Sequence, residues 1–391
     1  MTRRPRQRGP AASATCTFKS APPPMVGPDE SRGIRLQVSM ASGSDEFADL
    51  HRPTASLQAL QRRAALLKAL RRFFEQHGYL EVETPLLSRD VCVDAWIDPF
   101  SLREDSRSGT PREEFFLQTS PEFAMKRLLA AECGSIFQVT RSFRRGETGP
   151  LHNPEFTIIE WYRIGEDIAQ QMSFVESLIR AVAQAAAQFH ADDSIGSTRR
   201  ADLQPTERIL RLTYDDAFAR FAGAPVLQAS DRELRNLAAR HGVKAPRGLA
   251  DNDRDGWLNL LLTEVVEPGL RTLPAVFLVD YPHTQAALAR VREGDPPVAE
   301  RFELYLNGVE ICNGYQELTD PAELKRRMER QAALRRAAGA SPLPTDSRLH
   351  AAMQAGLPDC SGVALGFDRL VMWCLGADHI QEVMAFPFDR A

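Results

Sequence analysis

What this 391-residue chain is short of narrows its function before any motif is read. Its six cysteines (Cys16, Cys92, Cys133, Cys312, Cys360, Cys374) lie scattered, with no C-x-x-C pair and no nearby histidine partners. That spacing argues against a zinc site and a disulfide framework, and a reducing, cytoplasmic setting is expected. No apolar run approaches the roughly 20 residues of a membrane span, and the basic start of the chain lacks the apolar stretch of a signal peptide. Charge of one sign is not in excess either: 48 basic side chains face 52 acidic ones. The whole chain is therefore no polyanion binder of the kind that leans on many Lys and Arg contacts to phosphate. A local basic patch stays open.

What is present is ordinary for a globular enzyme, 43% hydrophobic and 26% charged, and long enough for one large domain or two unequal ones. Residues 1–52 are rich in Pro, Ser, Gly and Arg without a hydrophobic period, and a disordered extension is expected there. Arg3, Arg4, Arg6 and Arg8 precede the first acid, Asp29, in the manner of a transit peptide, but the prolines from Ala21 to Pro24 argue against a helix, and Met40 is an alternative start. Residues 53–391 read as one folded domain, with a mainly helical insertion at about 190–270.

Within that domain, Leu57, Leu60, Ala64, Leu67, Leu70 and Phe74 recur at helical spacing, and Gly78 stops the helix. Ser120-Pro121-Glu122 reads as a helix start that puts Glu122 at the N-terminus. Ile136 to Phe143 and Phe156 to Tyr162 read as antiparallel strands joined by a polar loop, with Phe156, Ile158, Glu160 and Tyr162 on one face. Asn307-Gly308 between two alternating arms predicts a type I′ hairpin. An unbroken register then sets Leu306 against Val309, Tyr305 against Glu310 and Glu303 against Cys312, with Glu303 and Glu310 sharing a face.

Two carboxylates on one face repel unless solvent, a proton or a cation compensates. Glu303 and Glu310 are therefore either a solvated pair or a magnesium site, since magnesium takes one or two carboxylates plus phosphate oxygens and water. Arg144, at a strand–loop junction, is either a surface charge or a fork for a phosphate oxygen. Glu160 with Tyr162 is either a satisfied buried pair or part of a site.

Taken together, Glu83-Thr84-Pro85 after the long helix, Phe143-Arg144 with Asn153-Pro154-Glu155-Phe156, and G-V-A-L-G-F-D-R from Gly362 to Arg369 resemble the three signature motifs of class II aminoacyl-tRNA synthetases. Ser120-Pro121-Glu122 and E-I-C-N-G-Y-Q-E from Glu310 to Glu317 resemble the lysyl branch. The resemblance spans about Leu57 to Ala391 and implies an α+β fold, an antiparallel β-sheet flanked by helices. It leaves no room for an OB-fold anticodon domain of about a hundred residues, so the chain is most similar to the stand-alone elongation factor P–(R)-β-lysine ligase family. Ser120 and Ala364, where tRNA enzymes usually carry alanine and glycine, agree with that.

The resemblance implies ATP and magnesium as cofactors, with Arg144 on the α-phosphate, Arg369 on the γ-phosphate, Glu303 and Glu310 on the metal, and Asn153 and Gly366 lining the nucleotide site. It implies that Ser120, Glu122, Glu160, Tyr162, Asn313, Tyr315 and Glu317 surround lysine or (R)-β-lysine, whose two ammonium groups call for many acceptors. The usual F-R-x-E of the second motif is here Phe143-Arg144-Arg145-Gly146-Glu147, so Glu147 must reach the adenine from one place later or the backbone replaces it. Elongation factor P is the implied acceptor, a homodimer the implied assembly, and neither tRNA nor membrane is an implied partner. Charging of tRNA without an anticodon domain is the alternative, and an inactive synthetase-like subunit a second.

Overall fold

The computed structural model describes residues 51–103, 113–189 and 208–391. Nearly all of the expected N-terminal extension, and the part of the expected insertion before residue 208, lie outside the described residues.

In chain order the elements are α1 (Leu57–Gln76), β1 (Leu80–Glu81), β2 (Leu87–Ser88), β3 (Ser101–Arg103), β4 (Glu114–Leu117), α2 (Glu122–Ala130), β5 (Ile136–Phe143), β6 (Glu155–Ile164) and α3 (Ile168–Gln188). They continue as β7 (Leu210–Thr213), α4 (Tyr214–Phe221), α5 (Asp231–Arg240), α6 (Arg254–Leu261), α7 (Glu267–Leu270), β8 (Ala275–Pro282), β9 (Val291–Arg292), β10 (Val298–Leu306), β11 (Val309–Gln316), α8 (Pro321–Ala337), α9 (Arg348–Gly356), β12 (Cys360–Gly366) and α10 (Phe367–Leu375). The main sheet runs β1-β5-β6-β12-β11-β10-β8-β7, with β9 beside β10. Its middle is antiparallel throughout, while β1 on β5 and β7 on β8 close the two ends with parallel pairs. Strand β7 belongs to the stretch expected to be mainly helical, so that stretch extends the sheet as well as covering it.

Period-two alternation divides the sheet into two unlike faces. Ile159 and Trp161 of β6, Phe302, Leu304 and Leu306 of β10, and Val363 and Leu365 of β12 meet α1, α3 and α10 in one continuous core. On the other face the apolar cover is split. Helices α4 to α7 pack over β8 at one end, and α2, α8 and α9 pack at the other. Between these lateral clusters the middle strands turn polar side chains outward, and this is where the site sits.

The hairpin of β10 and β11 departs from the unbroken register. Asn307 and Gly308 have φ of 50° and 74°, as a type I′ turn requires. Leu306 pairs with Val309 and Tyr305 with Glu310, but Leu304 pairs with Cys312 and Glu303 with Asn313, not with Cys312. A bulge at Ile311 accounts for the correction. Ile311 and Cys312 are adjacent and both buried in the same core, which a regular strand cannot arrange and a bulge can. Its effect is to invert the alternation downstream. Asn313, Tyr315 and Glu317 thereby share the face of Glu303 instead of pointing into the core.

Candidate functional site

The polar strip holds two charge clusters. The first is built around a buried lysine. Glu160 on β6 is 2% exposed, and its carboxylate accepts from the Tyr162 hydroxyl at 2.6 Å and the Ser120 hydroxyl at 2.8 Å. Burial and the nearby Glu122 push its carboxyl up to about 7. Lys126, one turn into α2 from Glu122, is 1% exposed, and its ammonium lies 2.6 Å from Glu122 Oε1 and 2.5 Å from Glu317 Oε2. Burial raises the Glu317 carboxyl, and Lys126 pulls it back; the two acids in turn hold Lys126 protonated despite its burial. The same ammonium lies 5.9 Å from the centre of the Tyr162 ring. Gly362 on β12 makes the packing possible, because a Cβ there would come within 2.3 Å of Glu317 Oε1 and 2.4 Å of the Tyr162 ring.

The second cluster lies where the loop between β5 and β6 meets α10. Arg369 donates to the Glu310 backbone carbonyl at 3.0 Å, to Glu310 Oε2 at 3.2 Å and to Leu151 O at 3.3 Å, and its remaining nitrogen is 2.7 Å from His152 Nε2. That His152 nitrogen must be the unprotonated one, since a guanidinium only donates. At the start of the same loop, the Arg144 amide donates to Pro154 O, its guanidinium lies 5.0 Å from the Phe156 ring centre, and Glu147 Oε2 is 3.8 Å away. Glu303, 4% exposed, receives Arg301 at 2.5 Å, Tyr281 at 2.6 Å and Tyr305 at 2.7 Å. Arg301 carries the contact onward to Asn313 Oδ1 at 3.3 Å. The phenol of Tyr315 is pushed up by burial, and Arg301 lies 5.9 Å from its ring centre.

The structure thus joins Arg369 to Glu310 directly and to Arg144 through one loop. Glu303 stands across the hairpin, two residues from the Tyr305 that faces Glu310. The two residues expected to line the nucleotide make these contacts. The Asn153 side chain is taken up by backbone, donating to Glu155 O at 2.6 Å and accepting from the Phe388 amide at 2.9 Å. Gly366, just before α10, lies against the Arg369 side-chain stem, with 3.7 Å left between a built Cβ and Cδ. Sequence reading missed Lys126, His152 and Arg301. Lys126 had a readable sign, since it stands three residues from both Phe123 and Leu129 on the apolar side of α2, with an acid one turn before it.

The donor set fits a magnesium ion carried by a triphosphate rather than one held by protein alone. Glu303 already accepts three hydrogen bonds of the roughly four a carboxylate can take. Glu310 is engaged through an exchangeable arginine contact. Among the described residues no cluster of three His, Cys, Asp or Glu forms a metal cage. Nor is any helix among them long and apolar enough to cross a membrane.

Comparison with known proteins accords with this geometry. Residues 42–390 match the family model for tRNA synthetases class II (D, K and N). A Vibrio cholerae protein is 41% identical over 339 residues, covering 87% of this chain and 98% of its own length. Proteins of Salmonella arizonae and Salmonella paratyphi B are each 42% identical over 341 residues, again covering 87% of this chain and 98% of theirs. All three are named elongation factor P–(R)-beta-lysine ligase.

Proposed function

The chain belongs to the class II tRNA synthetase family, and from that premise we propose that it activates lysine or (R)-β-lysine with ATP and transfers it to a lysine ε-amine of elongation factor P. The observation that carries the reading is the convergence of Glu122, Glu160 and Glu317 around Lys126, with Glu160 and Glu317 only 2% and 1% exposed. Three carboxylates in so little water are costly unless cations meet them, and a diamino acid brings two. A neutral amino acid would leave buried charge uncompensated and be rejected.

In activation, the acidic pocket, with Tyr162, Asn313 and Tyr315, grips the ammonium groups and leaves the substrate carboxylate free. One carboxylate oxygen attacks the α-phosphorus, the bond to the bridging oxygen breaks, and pyrophosphate departs. Arg144 meets the α-phosphate, while Arg369 trades Glu310 and His152 for γ-phosphate oxygens. Catalysis is positioning plus charge stabilisation, without a protein nucleophile. Glu310 and Glu303 would hold magnesium, which would supply positive charge at the phosphates. Gly366 and the loop around Asn153 border the nucleotide, and Glu147, 3.8 Å from the Arg144 guanidinium, serves the adenine. In transfer, the neutral acceptor amine attacks the acyl carbonyl of the adenylate, forming an amide and releasing AMP.

A homodimer in the cytoplasm completes the reading. Leu57, Leu80, Leu86 and Leu87 are all at least 40% exposed along α1 and the segment after it, an apolar surface that a second copy of the chain would cover. The test is ATP–pyrophosphate exchange with each lysine isomer, followed by mass spectrometry of elongation factor P. Exchange together with a mass gain on the acceptor is expected. Exchange with no gain by either isomer, but with charging of tRNA, would replace the acceptor; absence of exchange would remove the activity.

A further inference from the structure

Lys126 has no assigned task in the activation just described, yet it is among the most deeply enclosed charges of the molecule. We propose that Lys126 is a specificity-determining residue, a built-in counter-ion whose ammonium bridges Glu122 and Glu317 and trims the pocket to two net negative charges, the number that an amino acid with two ammonium groups neutralises. The inference rests on the activation reading above and deepens it.

The count is direct. With substrate bound and all three acids ionised, Glu122, Glu160 and Glu317 supply three negative charges and Lys126 returns one positive. Without the lysine, a diamino substrate would leave one buried carboxylate unmatched, and that group would take a proton instead. Geometry makes the lysine a fixture and not a visitor. It rises from α2 one turn after Glu122, and Phe123, Met125 and Leu129 of the same helix are buried beside it. The other titratable groups around it come from every neighbouring element: Glu160 and Tyr162 from β6, Cys360 from β12, Tyr315 and Glu317 at the end of β11, and Cys92 ahead of β3. Lys126 is the only ammonium among them, and Arg301 is spent on Glu303 and Asn313.

The consequence is a pH signature. Removing a cation from beside carboxylates raises their pKa, so they ionise only at higher pH, and a dicationic substrate binds their ionised form. Lys126→Gln should raise KM for the amino acid about tenfold at pH 7, a loss of ~1.4 kcal/mol. It should change kcat by less than about threefold and move the acid limb of kcat/KM upward by about one pH unit. The double variant Glu122→Gln/Lys126→Gln removes one charge of each sign and restores the net count, so its acid limb should return to the wild-type position even though absolute activity is lower. A purely structural lysine would lower stability and leave every limb where it was.

ATP–pyrophosphate exchange across pH 6–9 decides the matter. A folded Lys126→Gln enzyme with an unmoved limb overturns the proposal, and so does a double variant whose limb stays displaced. If the single variant does not fold, the double variant alone decides on the same criterion. Failure of the unaltered enzyme to exchange with either isomer would sink the activation reading itself, whereas exchange with unmoved limbs sinks only the role of Lys126.

Discussion

The two charge clusters of the polar strip solve opposite problems. Around Lys126 the charges are mostly buried, with one lysine set among three carboxylates. Arg369, in the first turn of α10, and Arg144, at the start of the loop, have side chains 20% and 28% exposed and contact groups that can be exchanged. A triphosphate brings its own charge and needs cations able to change partners. A diamino acid has to be discriminated by charge count, and the low dielectric of a closed pocket makes an error in the count expensive. The difference teaches that selectivity and turnover are assigned to separate, unequally buried parts of one face.

That contrast can be broken in graded steps. Arg369→Ala should have the largest effect, lowering kcat for pyrophosphate exchange by on the order of 1,000-fold. Because its contacts also tie α10 to the loop and to β11, the melting temperature should fall by a few degrees at most, and a thermal melt run beside the kinetics separates the two effects. Glu160→Gln probes the buried cluster through stability. The folded enzyme holds its carboxyl at about 7 while the unfolded chain has it near 4.5, so the native state binds the extra proton between these values. This group therefore costs stability progressively as pH rises through that window, by on the order of 3 kcal/mol at most. Denaturant titrations at pH 5 and pH 8 should show the wild type losing more stability than Glu160→Gln over that span. An equal loss would place the carboxyl in the ordinary range.

Gly362→Ala should come next. The added Cβ must displace Glu317 or Tyr162, and kcat/KM for the amino acid should fall about 100-fold, with KM for ATP nearly unchanged in the same assay. The smallest effect belongs to Glu147→Gln. Its carboxylate sits 3.8 Å from Arg144 and is a third exposed, so a change of KM for ATP of about threefold is expected. A hundredfold change would mean that Glu147 has a closer task than its present contact shows.

Much of the framework was legible because it rests on local signals. The spacing of Leu60, Leu67 and Leu70 gives α1, and Asn307-Gly308 gives the hairpin turn. What escaped depends on tertiary demand. The alternation rule cannot foresee that Ile311 and Cys312 will both be claimed by the same core, and this claim shifts Glu303 onto Asn313. Without the bulge, motif-based expectations for Asn313, Tyr315 and Glu317 and the unbroken hairpin register contradict each other; with it, both sets share one face. The Asn153 side chain escaped for a related reason, since its partner Phe388 is 235 positions away in the chain. Lys126 was hidden by composition habits, because lysines are so rarely enclosed that an internal one reads as surface.

The clasp between Asn153 and Phe388 has a corollary for remote substitutions. Ile380 likewise donates to Pro150 O, so the final stretch of the chain props up the very loop that carries Arg144 and His152. Any substitution that disturbs the 380–388 stretch therefore reaches the phosphate-facing loop at a distance.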